Sequence, residues 1–85
     1  MTNIIWTEDA IRDLEKIDQF IAKRIVRKID WLGNNFDKIT PEPLSGEFSK
    51  TFKLRIGDWR VIYTVKEESI LILYIGHRKE IYKIN

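Results

Sequence analysis

The period of the apolar residues changes partway along this chain, and that change limits what it can fold into. Ile11, Leu14, Ile17 and Ile21 recur at helical spacing. Ile21, Ile25, Ile29 and Leu32 do so again, with Val26 and Phe36 beside them. From Ser45 onward the spacing becomes that of a strand: Phe52, Leu54 and Ile56 alternate with Thr51, Lys53 and Arg55. Helical periodicity followed by strand periodicity predicts an α+β layer fold, with helices on one face of a sheet.

The punctuation supplies boundaries. NIIW, residues 3–6, reads as a short first strand. Thr7 is the expected N-cap of the first helix, with Glu8 and Asp9 in its first turn. IDQF, residues 17–20, is the expected break, which makes a helical hairpin. Gly33 is read as the stop of the second helix, followed by a proline-containing loop to residue 43. A strand is expected over 48–56, then a hairpin turn at Gly57-Asp58 of type II′, then a strand from Trp59 to Lys66. KEES turns the chain again. ILILYI, residues 70–75, lacks alternation and is predicted to be a central strand buried on both faces. Trp6, Trp31, Trp59, Tyr63 and Tyr74 lie within apolar periodic segments and are expected to be packing residues.

Size and composition narrow the function classes. Eighty-five residues make one domain, 1–85, which buries only about 60% of the surface its unfolded chain exposes. With no cysteine and one histidine, His77, neither a disulfide framework nor a zinc site is expected, and no metal or cofactor is called for. No signal peptide and no membrane-length apolar run is visible, so the expected location is cytoplasmic, with no membrane partner.

Charge is unevenly placed. Residues 1–44 carry 7 Lys/Arg against 8 Asp/Glu, whereas residues 45–85 carry 8 against 5. Four cations lie in KTFKLRIGDWRVIYTV: Lys50, Lys53, Arg55 and Arg60. With Phe52, Leu54 and Ile56 under the helices, Lys53 and Arg55 point to the other face, and the hairpin brings Arg60 beside them. Lysines at a sheet edge block unwanted pairing, which accounts for Lys50 and Lys66. That explanation does not fit Arg60, inside an interior strand. Arg78 adds a fifth cation at the end of the apolar strand, and Tyr82 an aromatic four residues on. No carboxylate pair has a clear site context, and Ser45 and Ser49 lack a nucleophile elbow. A cationic, aromatic-bearing face suits RNA, which carries its own nucleophile, the 2′-hydroxyl. Cleavage by that route needs alignment, removal of one proton and stabilisation of a phosphorane. Arginines do the last through two-pronged hydrogen bonds to phosphate oxygens.

FKLRIGDWRVIYTV and IGHRKEIYK, together with TEDAIRDLEKI and PLSG, make almost the whole chain resemble the RelE branch of the RelE/ParE superfamily of toxin–antitoxin toxins. The resemblance implies an N-terminal strand and helical hairpin packed on a small antiparallel sheet. It implies a ribosome-dependent mRNA endonuclease that cuts A-site codons by metal-independent 2′-hydroxyl attack and so inhibits translation. The implied partners are a cognate antitoxin, the ribosome and mRNA. By motif, it implies proton abstraction or phosphate binding for Lys53, phosphorane stabilisation for Arg60, assistance to the leaving 5′-oxygen for Arg78 and base stacking for Tyr82. Lys50, Arg55, His77, Lys79 and Lys83 are the implied RNA contacts around them. The family's second lysine, two residues before Lys53, is replaced by Thr51, which leaves acid–base roles to be redistributed, with His77 one recipient. Two other readings stand beside this one: a ParE-like inhibitor of DNA gyrase, and a catalytically weak nucleic-acid-binding module.

Overall fold

The computed structural model describes residues 2–44 and 50–81. Strand β1 (Asn3–Trp6) leads into helix α1 (Glu8–Glu15) and then α2 (Gln19–Asn35). A single 3-10 turn (Phe36–Lys38) and a two-residue strand β2 (Glu42–Pro43) follow. Strands β3 (Thr51–Ile56), β4 (Trp59–Lys66) and β5 (Ser69–His77) form a meander, and β5 runs directly into a four-residue helix, α3 (Arg78–Ile81). The segment 45–49, which includes the expected strand start at Phe48, lies outside the described residues.

Local chemistry sets the helix starts. The Thr7 hydroxyl accepts from Ala10 N at 3.2 Å and donates to Ile72 O at 2.7 Å, so one side chain caps α1 and ties it to β5. The Asp18 carboxylate accepts from the Phe20 and Ile21 amides and opens α2, which makes 16–18 the break in the helical hairpin. At the Gly57-Asp58 turn Gly57 alone takes a positive φ, 59°, as a type II′ hairpin needs at its first central position.

The sheet order is β1-β5-β4-β3-β2. Strands β2 to β5 are antiparallel, as expected of the meander. Strand β1 joins the far side of β5 in parallel, from Asn3↔Ser69 to Trp6↔Ile72, and makes the whole sheet mixed. Beyond Trp6 the exposed side of β5 loses its partner strand. The Asp13 carboxylate takes over there, accepting from Ile75 N at 3.0 Å. An irregularity between Ile62 and Tyr63 leaves Leu73 without an opposite residue, and this lets Ile72 and Ile75 both face the core.

The core lies between the helices and one face of the sheet. Ala10, Ile25, Ile29 and Leu32 meet Ile56, Val61, Tyr63, Ile70, Ile72 and Ile75. Three expectations change here. Gly33 does not stop α2, which continues to Asn35. Its lack of a side chain serves close packing instead: an added Cβ would lie 3.1 Å from Ile4 Cδ1 and 3.1 Å from Thr2 O. Strand β5 is central but not buried on both faces, because the helices cover one face only and Tyr74 remains 44% exposed. Trp31 likewise stands out on α2 at 40% exposure, rather than in the core.

Candidate nucleic-acid interface

The uncovered face of the sheet carries the cations. Register places Arg55 directly opposite Arg60, and Arg60 opposite Gly76; the next row is Lys53, Ile62 and Tyr74. Ile81 of α3 packs over Gly76, where an added Cβ would come within 3.0 Å of Ile81 Cδ1. The bare glycine thus seats α3, and with it Arg78 and Lys79, against the row that holds Arg60. The outcome is an open cleft of about 370 Å³ lined by Arg55, Arg60, Arg78 and Lys79.

Each cation has a different support. Arg60 is only 7% exposed. Its Nη1 donates to Gly57 O at 2.7 Å and Trp59 O at 2.9 Å, while its buried Nε has no partner. Arg78 is held by its backbone, whose N–H donates to Asp58 O at 2.7 Å; its side chain stays half exposed with Asp58 Oδ1 3.9 Å away. The His77 ring stands edge-on to Trp59, and its Nδ1 accepts from Lys79 N at 3.3 Å. Acceptance at Nδ1 puts the proton of neutral His77 on Nε2. Lys50 is exposed just before β3, and its carbonyl accepts from the Thr64 hydroxyl at 2.7 Å. Thr51 pairs with Thr64 across the hairpin. Tyr82 and Lys83 lie outside the described residues.

One residue at this site went unnoticed in the sequence. Glu42, on β2, pairs with Lys53 in register. Its Oε2 accepts from Arg55 Nη2 at 2.7 Å and lies 3.5 Å from Lys53 Nζ. Burial pushes the Glu42 carboxyl upward, but the Arg55 hydrogen bond and the charges of Arg55 and Lys53 outweigh it and hold it below the ordinary carboxylate value. A glutamate between two prolines in a non-periodic segment gives no pattern to read; only the Glu42↔Lys53 pairing reveals it. Below this pair, the buried Tyr63 hydroxyl is pushed up to about 12, by desolvation first and by the Glu42 charge second.

Among the described residues, no group of three or more His, Cys, Asp or Glu side chains gathers to hold a metal ion. No described helix is long and apolar enough to cross a membrane. The site is a set of cations with two carboxylates beside them, Glu42 at Arg55 and Lys53 and Asp58 at Arg78.

Comparison with known proteins bears on what such a surface belongs to. The family model described as "ParE toxin of type II toxin-antitoxin system, parDE" matches residues 4–82. The chain belongs to the RelE/ParE toxins of type II toxin–antitoxin systems. This toxin is 30% identical over 80 residues to Toxin RelG of Mycobacterium tuberculosis, covering 92% of each chain. Its structure resembles the toxin–antitoxin complex RelBE2 of the same organism, with a TM-score of 0.78 and 28% identity over 91% of each chain. Isolated Escherichia coli RelE shares the fold, with a TM-score of 0.75 and 14% identity over 100% of each chain. Both the family expected from FKLRIGDWRVIYTV and IGHRKEIYK and the expected α+β fold therefore stand.

Proposed function

We propose that this toxin is an endoribonuclease that cleaves mRNA on the ribosome through attack of the 2′-hydroxyl on the adjacent phosphate. The observation that carries the reading is the convergence of Arg55, Arg60, Arg78 and Lys79 on one open cleft, with an ionised carboxylate at its border. A phosphate seated there takes its non-bridging oxygens to Arg60 and Arg78. Arg60 has the stronger case, since it lines the cleft and its guanidinium is already oriented by two carbonyls. As the 2′-oxygen forms its bond to phosphorus, its proton passes to a base. Glu42 is the carboxylate in position, with Lys53 beside it as a phosphate-side cation. The bond from phosphorus to the 5′-oxygen then breaks, and that oxygen takes a proton. Arg78 stabilises its charge, and solvent water delivers the proton. The products are a 2′,3′-cyclic phosphate and a 5′-hydroxyl. Tyr82 is assigned base stacking and Lys83 ribosomal RNA contact, both from the motif. The partners of the reading are mRNA, the ribosome and a neutralising antitoxin; its setting is the cytoplasm, and residues 1–85 act as one domain.

The test maps 5′ ends on mRNA in a translation reaction, with wild type and with Arg60→Ala/Arg78→Ala. New 5′-hydroxyl ends on ribosome-bound message only, absent with the double variant, support the reading. Intact message together with loss of supercoiling by purified gyrase supports the ParE-like alternative, which the family-model match over residues 4–82 keeps in view. Intact message and unaffected gyrase leave a binding module.

A further inference from the structure

Helix α2 carries a second cationic surface, away from the cleft. Lys23, Arg24, Arg27 and Lys28 lie on it, against a single helix carboxylate, Asp30. At 3.6 residues per turn these four cations and the rings of Phe20 and Trp31 fall within roughly 140° of arc. That arc is turned away from the side where Ile25, Ile29 and Leu32 are buried. Phe20 is 79% exposed and Trp31 40%. Among the described residues Lys23, Arg24 and Arg27 form no salt bridge, whereas Arg12 on α1 pairs with Glu8 and Asp9. Lys28 sits over the Trp31 ring, 3.9 Å from its centroid, and so holds the indole in place.

Two hollows connect this face to the cleft. The first, about 320 Å³, is bounded by Arg24, Arg27, Lys28 and Trp31. The second, about 290 Å³, shares Lys28 and Trp31 with it and adds Glu42, Lys53 and Arg55. Arg55 in turn is a wall of the cleft with Arg60 and Arg78. At the β3–β4 turn, Arg24 Nη2 lies 3.8 Å from the point where a Gly57 side chain would begin. The cations of α2 and those of the sheet thus form one band around the molecule's edge.

We propose that the outward face of α2 is an RNA-binding surface, which holds the phosphate backbone flanking the cleft and offers Trp31 and Phe20 to stacked bases. The inference rests on the RNA reading of the cleft. A long polyanion is the partner that makes use of a continuous band: a compact acidic protein segment would need one patch, not three adjoining ones. Unpaired exposed cations beside exposed rings are what single-stranded RNA requires, phosphate neutralisation together with sequence-tolerant stacking.

The experiment measures binding of a fluorescent 2′-O-methyl RNA 20-mer, which has no free 2′-hydroxyl to attack, by anisotropy over a salt series. Lys23→Gln/Arg24→Gln/Arg27→Gln removes three cations and leaves Lys28 on Trp31. The slope of log Kobs against log salt should become shallower by about 2. Trp31→Leu should weaken binding about tenfold with the slope unchanged. A folded triple variant with the wild-type slope and affinity overturns the proposal. So does an acidic amphipathic peptide that the triple variant no longer binds while its RNA slope stays at wild type, since that assigns α2 to a protein partner. Message cut by wild type with no slope change rejects the α2 surface and keeps the cleft reading. A slope change with no message cut does the reverse.

Discussion

Arg55 and Arg60 occupy directly opposed positions on neighbouring strands, yet their guanidinium groups turn to different acceptors. Arg55 reaches sideways to Glu42, and Arg60 folds back onto the carbonyls of Gly57 and Trp59. Two like charges facing each other repel, and here each is given its own oxygen partners instead of a shared anion. Arg60 ends up buried with one nitrogen unsatisfied, which leaves it a poor contributor to stability.

Arg60→Leu should therefore separate stability from activity. Replacing a buried, partly unsatisfied charge by an apolar side chain should change the unfolding free energy by less than about 1 kcal/mol in either direction. Cleavage of ribosome-bound message should fall at least ~100-fold, the loss typical of a missing transition-state donor. Urea denaturation and single-turnover cleavage measure the two. A loss of several kcal/mol would show that Arg60 holds the hairpin together.

Glu42→Gln should lower cleavage by ~100-fold or more, the usual contribution of a general base. The pH dependence carries the sign. The folded carboxyl titrates below its ordinary value, so its ionised form persists to lower pH, and wild-type activity should fall only as pH drops through that depressed value. The stability it contributes is present above the ordinary carboxylate value and is lost over the same descent. Rate–pH profiles and melts of both proteins from pH 3 to neutrality check the two limbs. A Glu42→Gln profile that superimposes on wild type removes Glu42 from the proton path.

Tyr63 governs the opposite end of the scale. Its folded hydroxyl titrates at about 12 against an ordinary value of 10.0. The stability that follows is complete below 10 and declines as pH rises from 10 toward 12, because the unfolded chain ionises first. Tyr63→Phe should flatten that decline relative to wild type in denaturant melts across the same range. Parallel declines in the two proteins would assign the alkaline loss elsewhere.

Gly33→Ala tests the packing of β1 on α2. Alanine is the better helix former by about 1 kcal/mol, so a glycine kept only by chance would gain from the change. A Cβ placed 3.1 Å from a backbone oxygen forces β1 outward. Net destabilisation of about 1–2 kcal/mol is expected, read from urea midpoints. Stabilisation would mean that Thr2 and Ile4 yield freely.

Much of this fold was legible because each element obeys its own local signals. Thr7 caps the first helix, IDQF breaks the helical pair, Gly57-Asp58 makes its hairpin, and the switch in apolar period marks where helices give way to strands. What escaped depends on distant partners. Gly33 reads as a helix stop until Ile4 and Thr2 are seen against it. Tyr74 and Trp31 read as core until the helices are seen to cover one sheet face. The parallel pairing of β1 joins segments more than sixty residues apart, and no local pattern announces it. The site divides the same way. Arg55 and Arg60 could be paired through the turn between them, and the motif pointed to Arg78. Glu42 acquires its meaning only from the register that sets it against Lys53.

That parallel strand also sets a schedule. The meander β3 to β5 can zip up hairpin by hairpin, but β1 is made before those strands and has no neighbour until Ser69–Ile72 follows. Thr7, which caps the first helix, and Asp13, on it, wait for the same strand. A nascent chain stopped short of residue 69 therefore holds its N-terminal strand and the cap of its first helix unmatched, and the platform that seats Arg78 does not yet exist. The chain must run past β5 before the cleft can assemble, so that surface appears in one step and not in proportion to the length of chain translated.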